Sequence, residues 1–392
     1  MIKNKNSRAA LVLAGVLCIM QASSLTEELG RDWEAHLTGP IVNGQILSTE
    51  EPYYIYQWAL KNNGNLQLSP NPGVPGQTVW SQAGVDINVE PAWTVYEQSA
   101  ERRSVTVALI DTGVDIGHPD LKNAVWVNSG EIPGDGIDND GNGYVDDVNG
   151  WNFYSGNNQV YVGSEDDHGT HGAGTIAGAW DGKGITGIAD SNYVKIMVLK
   201  TLGSEEGRGG SDEVKAAIRY AQANGADICS LSMGTHTYDQ ELDQMIRNSP
   251  MLFIVSAGNG DGQSVGIDID EQPVYPASYT AENLICVSNL MFDGNLEASS
   301  NFGRATVDLA APGTYILSAA ADGYGFMTGT SMAAPMVTGA AALIYSCRPD
   351  MSLLDVKNAI LSTAMPRENL SGKAVTGGML NVYGAITYGQ NN

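Results

Sequence analysis

The 392-residue sequence predicts an α/β protein: a mainly parallel sheet with helices on both faces, three-layered and doubly wound. Two observations carry that prediction. Short apolar runs rich in β-branched residues alternate with longer small-residue or amphipathic runs, as repeated strand-helix units require. Polar residues stand where the apolar runs stop, at Asp111, Ser232 and Asn259, and open α/β sheets gather ligands beyond the carboxyl ends of their strands. Only 16% of residues are charged and 47 are glycine, which points to tight turns and close backbone approaches rather than disorder.

In chain order, residues 1–22 come first. Lys3, Lys5 and Arg8 precede an apolar run and small residues follow at Ala22, Ser23 and Ser24, the pattern of a secretory signal. The apolar run is too short to span a bilayer, so cleavage is expected rather than retention as an anchor. Residues 23–82 are expected to be a lead-in or wrapping arm, with Pro70, Pro72 and Pro75 near its end, and residues 83–392 the main domain. Strands are expected at 105–110, 194–199, 228–233 and 252–257, and helices at 168–179, 213–223 and 332–345. The last helix lies in an uncharged stretch, 323–347. Glycines and threonines interrupt it and no cation anchors its start, so a buried core helix is expected rather than a membrane span.

The formal charge of -24 makes nucleic acid and anionic membranes improbable partners, and removal of residues 1–22 makes it more negative still. Cys229, Cys286 and Cys347 lie in apolar stretches and read as buried thiols, not as a disulfide framework or metal site.

Four polar residues form a chemical pattern. Ser331 sits among small residues in 329–335, at the mouth of the expected helix, where Thr330 and Ser331 are good capping residues. Asp111 ends a buried strand, a position equally suited to a cap or a metal ligand. His168 opens a helix too rich in glycine to be explained by propensity; close packing explains it better. His168 and His171 could in principle share a metal, but the zinc-peptidase pattern has another spacing and a glutamate between its histidines. Asn259 follows a strand, either as an amide donor or as a turn residue.

Taken together, Asp111, His168, Asn259 and Ser331 run in the order acid, base, amide donor, nucleophile. An α/β-hydrolase would run serine, acid, histidine, and a chymotrypsin-like enzyme histidine, aspartate, serine. In its blocks 107–113, 168–175 and 329–335 the chain resembles the subtilases, subtilisin-like serine peptidases, over roughly residues 85–385. The resemblance implies that Ser331 attacks the scissile carbonyl, His168 takes and returns the proton, Asp111 orients the imidazole and Asn259 donates to the oxyanion. It also implies a substrate-pairing edge at Ser230, Ser232, Met233 and Gly234, with Gly207 and Gly209 in its partner and an extended peptide between them. The first binding pocket would be walled by 232–234 and by Ser256, Ala257 and Gly258, small or apolar residues suited to an uncharged side chain.

An insertion at 134–147 carries alternating oxygen ligands. Asp138, Asp140 and Asn142 match the first three positions of a calcium loop, Gly143 its turn and the Tyr144 carbonyl the next ligand, with Asp146 or Asp147 to close the shell. Asn149 stands where the last acid is expected; a solvated acidic turn is the alternative. The resemblance suggests a second, weaker calcium site at Asp120 and Asp181. Two departures from the family stand out: Gly172 replaces a valine, and the lead-in is shorter than an inhibitory pro-domain. The resulting expectation is a monomeric, calcium-dependent serine endopeptidase, secreted or held in the cell envelope. An idle peptide-binding scaffold and a narrow-specificity maturation peptidase are the alternatives.

Overall fold

The computed structural model describes residues 52–68, 79–203, 210–260, 265–321 and 323–390. The expected signal at 1–22 and the residues Gly207 and Gly209 lie outside them. A small antiparallel ladder of β1 (Gln67–Leu68) and β2 (Val79–Trp80) precedes helix α1 (Glu90–Gln98). There follow β3 (Val105–Asp111), β4 (Gly150–Asn152), α2 (Asp167–Ala177), β5 (Val194–Lys200), α3 (Ser211–Ala223), β6 (Ile228–Leu231), α4 (Gln240–Asn248), β7 (Leu252–Ser256) and β8 (Leu284–Leu290). The chain closes with β9 (Leu309–Pro312), a hairpin of β10 (Ile316–Ala320) and β11 (Gly323–Met327), α5 (Thr330–Cys347), α6 (Leu353–Ser362), β12 (Met365–Pro366), β13 (Gly378–Met379) and α7 (Val382–Ile386).

Nine strands form one sheet in the order β12-β13-β9-β8-β7-β6-β3-β5-β4, parallel except for the β12-β13 pair. This is the α/β architecture expected, helices on both faces included. Alternate residues of β3 face opposite cores: Val107 and Leu109 pack with α2 and α5, while Ala108 and Ile110 pack with α3 and α4. A strand covered on both sides must be apolar throughout, which is why the central strands read as unbroken runs. The chain leaves β3 for β5 on one side and returns to β6 on the other, so a crevice opens between β3 and β6 at their carboxyl ends.

β6 stops at Leu231, two residues short of the expected end. Leu231 is opposite Ile110 and Val255; β3 and β7 each continue one residue further, to Asp111 and Ser256, and residues 232–234 carry on without ladder partners. The uncharged stretch is explained by α5, which is buried almost all round against α2 and strands β6 to β9. Among the described residues no helix is long and apolar enough to cross a membrane. Residue 83 is not a packing boundary. Trp58, Ala59 and Leu60 are in the main core, the Trp58 indole donates to Thr314 O at 3.0 Å, and the Gln57 amide exchanges two hydrogen bonds of 2.8 Å with the Thr186 backbone. The three cysteines are buried and unpaired.

The glycines of α2 divide sharply. A Cβ on Gly169 would lie 2.1 Å from Gly113 O, and one on Gly174 2.5 Å from Ser318 Oγ, so neither can be replaced without moving backbone or a buried neighbour. A Cβ on Gly172 would meet nothing closer than Pro335 Cγ at 3.6 Å, an ordinary contact. Gly172→Ala should therefore stabilise the fold by about 1 kcal/mol through helix propensity, and Gly169→Ala should destabilise it by about 1–3 kcal/mol through overpacking. Urea unfolding of the two variants checks both signs.

Candidate active site

Asp111 ends β3 with its carboxylate buried. Oδ1 accepts from the Thr112 N–H and from His168 Nδ1, both at 2.7 Å. His168 is the second residue of α2, and the bare Cα of Gly169 lets that helix end press against Gly113. Burial alone would push the His168 imidazole down, but the adjoining Asp111 carboxylate, by charge and hydrogen bond, holds it above its ordinary value. His171 faces elsewhere. Its Nε2 lies 2.7 Å from Ile316 O, and burial first of all pushes it down to about 4, so it is a neutral core histidine and not half of a metal pair.

An ion pair the sequence did not reveal clamps this corner. Lys200, in register with Asp111 on β5, sends a buried ammonium to Asp166 Oδ1 at 2.6 Å, to Glu165 Oε1 at 3.0 Å and to Thr112 O. Asp166 immediately precedes α2, so the pair ties the His168 helix end to the sheet.

Ser331 is the second residue of α5, whose cap position is Gly329 and carries no side-chain cap. The expected capping by Thr330 and Ser331 is replaced by a residue from β7's loop. Asn259 Oδ1 accepts from the Thr330 N–H at 2.8 Å and from the Thr330 hydroxyl at 2.9 Å, while that hydroxyl accepts from the Gly258 N–H at 3.1 Å. With its oxygen fixed on the helix end, the Asn259 amide must turn Nδ2 the other way. Pro335 has no N–H for the Ser331 carbonyl four residues earlier, and the Ser232 hydroxyl donates to that carbonyl at 3.3 Å instead. Helices α2 and α5 touch where Gly172 faces Pro335, one turn beyond His168 and Ser331 respectively, which brings the two helix mouths to the same crevice.

Asn301 is a second residue that sequence reasoning missed. Its N–H donates to Gly258 O at 2.9 Å, its Nδ2 to Ala257 O at 2.8 Å, and its Oδ1 accepts from the Gly260 N–H at 2.9 Å and the Ile267 N–H at 3.0 Å. It brackets Asn259 on both sides. No local signal marks it, since a polar run such as 299–301 reads as an ordinary turn.

The substrate-edge residues are sorted by burial. Ser230 is corrected: it is fully buried, its backbone lies between Leu109 and Ile254, and its hydroxyl meets Thr338 at 3.1 Å, so it cannot touch a ligand in the crevice. Ser232 is buried, Met233 half-buried and Gly234 exposed. Ser256 and Ala257 are buried too, with the Ala257 side chain in the core, which leaves the second wall to backbone and to Gly258.

In the acidic insertion the structure gathers Asp140 and Asp147 with Glu131, a residue outside the expected set, their oxygens within 4.8 Å of one another. Asn128 Nδ2 and Asn142 Nδ2 each bridge Asp140 to Asp147 at 2.8–3.1 Å. Asp138 accepts from the Asn142 and Gly143 N–H groups and Asp146 from those of Gly134 and Gly136, while Glu131 accepts from those of Asn139, Asp140 and Asp146, so these carboxylates also shape the loop's own backbone. The Tyr144 ring stacks edgewise with Trp151, Phe153 and Tyr220. Three converging carboxylates with nearby amides suit a hard, oxygen-preferring divalent cation. At the second expected site Asp120 is buried, holding the Ile185 N–H at 2.9 Å and the Tyr324 hydroxyl at 3.1 Å, and the Asp181 carboxylate is exposed beside Lys183 at 3.6 Å.

The chain matches the Subtilase family, peptidase S8, over residues 102–385, and it belongs to that family. It is a serine endopeptidase by that membership and by its named relatives. It is 33% identical over 296 residues to the major intracellular serine protease of Bacillus subtilis, covering 72% of this chain and 82% of that one. It is 33% identical over 307 residues to halolysin of Haloferax mediterranei, covering 77% and 52%, and 30% identical over 334 residues to the cell wall-associated protease of Bacillus subtilis, covering 84% and 31%. The chain thus spans most of the first relative and about half or less of the other two.

The buried Lys200–Asp166 pair yields a prediction. Lys200→Met leaves the Asp166 carboxylate buried without its cation and should cost about 3–5 kcal/mol of stability, whereas Lys200→Met with Asp166→Leu should recover much of it. Equilibrium denaturation of the single and double variants measures the difference.

Proposed function

We propose that Asp111, His168, Asn259 and Ser331 are the catalytic machinery of an exported, calcium-binding serine endopeptidase. The 2.7 Å bond from His168 Nδ1 to Asp111 is the observation that carries this reading, because it leaves Nε2 as the basic atom facing the crevice. In that role Nε2 takes the Ser331 hydroxyl proton as Oγ attacks the scissile carbonyl, then returns it to the leaving amine. Asp111 keeps the imidazole in the required tautomer and steadies its cationic form. Asn259 donates Nδ2 to the carbonyl oxygen as negative charge grows there, and its fixed Oδ1 means no reorganisation is needed at that moment.

The substrate is a peptide laid along residues 232–234, whose backbone carries on without ladder partners. An idle scaffold would have no need of a buried acid-imidazole pair next to a serine-bearing helix mouth. Calcium would be held by the carboxylates of Glu131, Asp140 and Asp147, with the amides of Asn128 and Asn142 turned to present oxygen. Bound there, it supplies positive charge that offsets three converging anions and holds the loop. The secretory pattern of residues 1–22 supports export.

A fluorophosphonate probe should label Ser331, and Ser331→Ala should abolish labelling; an unlabelled, folded protein refutes the reading. Asp111→Asn should lower turnover by about 10⁴-fold with little change in stability. Because catalysis needs neutral His168 and its pKa is raised, activity should fall as pH drops through a midpoint above about 6.5, the ordinary imidazole value. A pH-rate profile of kcat/KM tests the position of that limb. Chelation should lower the Tm, and added calcium should restore it with the logarithm of its excess over Kd; an unchanged Tm on calcium titration counts against the site.

A further inference from the structure

We infer that Val274 forms the floor of the first binding pocket and restricts the enzyme to peptides with a small uncharged side chain before the scissile bond. This rests on the catalytic reading above and on the pocket that the family resemblance implies between the backbone at 232–234 and Gly258. Both walls reach one methyl group. A Cβ built on Gly234 would lie 2.8 Å from Val274 Cγ1, and one built on Gly258 would lie 3.8 Å from the same atom and 2.6 Å from Asn301 Nδ2. The space between the two glycine walls is therefore already occupied at its inner end by a branched aliphatic side chain.

Val274 cannot swing aside. The following residue is bridged to the strand end: the Thr235 N–H donates to Tyr275 O at 2.9 Å, and the Tyr275 N–H to Thr235 O at 2.7 Å. Its own backbone is closed on Ser278, whose hydroxyl accepts from the Val274 N–H at 3.1 Å and whose N–H donates to Val274 O at 2.7 Å. Branching at Cβ further restricts its rotamers. The residue is 7% exposed, as a floor with a little open surface should be.

The surroundings also exclude charge. Gly234, Gly258 and Val274 offer no ion-pairing group; of the polar side chains beside them, Asn301 spends its Nδ2 on Ala257 O at 2.8 Å and the Ser278 hydroxyl accepts from the Val274 N–H. A charged side chain entering this site would be desolvated without a partner. An aromatic one would need the volume that Val274 fills. Pocket fit is worth about 10- to 200-fold for a single methylene, so a preference of at least about tenfold for alanine over phenylalanine is expected.

The test uses the active full-length enzyme and four peptide anilides identical except for Ala, Val, Leu or Phe before the cleaved bond. Wild type should cut the Ala substrate at least about tenfold faster in kcat/KM than the Phe substrate. Val274→Gly, and to a lesser degree Val274→Ala, should raise the Leu and Phe values relative to the Ala value by about tenfold or more. Fluorophosphonate labelling of Ser331 in every variant separates the two hypotheses. Labelled enzymes with the same profile in wild type, Val274→Ala and Val274→Gly, or a wild type that favours Phe, would overturn the role of Val274 alone; absence of labelling in folded wild type refutes the peptidase reading and this inference with it.

Discussion

The hydrogen bond between Asp111 and His168 is the contact on which the arrangement depends, because it joins the end of the central strand to the mouth of a helix through two largely buried side chains. β3 is covered on both faces, so its last residue emerges from an apolar environment, and a carboxylate there needs donors at once. The Thr112 N–H and the imidazole supply them. The helix can come close enough only because Gly169 has no side chain to strike Gly113, and the Lys200–Asp166 pair holds it in that position from the other side. The buried carboxylate raises the basicity of the ring it orients, so positioning and electrostatics have one source.

The second half of the site is built by the same economy of backbone contacts. α5 begins without a side-chain cap of its own, and Asn259 satisfies its Thr330 N–H from a neighbouring strand end. That single oxygen links the proposed oxyanion donor to the segment bearing the proposed nucleophile, so neither can move independently. Asn301 repeats the device one step out, binding the backbone on both sides of Asn259. Pro335 removes a helical donor and Ser232 replaces it, which couples the substrate-side strand end to α5 as well. Each of these links passes through a loop, where secondary structure leaves backbone groups free to be recruited.

The acidic insertion shows the same competition between backbone and ligand. A regular spacing of acids in the chain suggested a run of consecutive ligands, yet Asp138 and Asp146 are drawn to the N–H groups exposed by the tight glycine turns. Short polar side chains often close such turns on themselves. Asp140, Asp147 and Glu131, which comes from before the insertion's ligand run, converge, and Glu131 and Asp140 also accept loop N–H groups. Spacing alone could not show that Glu131 joins them.

How much was legible in the chain follows from the range of the forces involved. Hydrophobic periodicity and strand-end polarity act locally, so the alternation of strands and helices, the central strands, the buried uncharged helix and the order Asp111, His168, Asn259, Ser331 were all readable from the amino acids alone. Burial of Ser230, the clamp of Lys200 on Asp166, the bracket of Asn301 and the floor formed by Val274 involve partners separated by tens of residues in the chain, and nothing in their immediate neighbours announces them. By itself the sequence determined the fold class and the family and supplied the set of side chains proposed as reactive, because these depend on composition and pattern. Only the tertiary structure decided which acids face one another, which serines are sealed in the sheet and which side chain lies between Gly234 and Gly258, because those outcomes depend on close packing between distant segments.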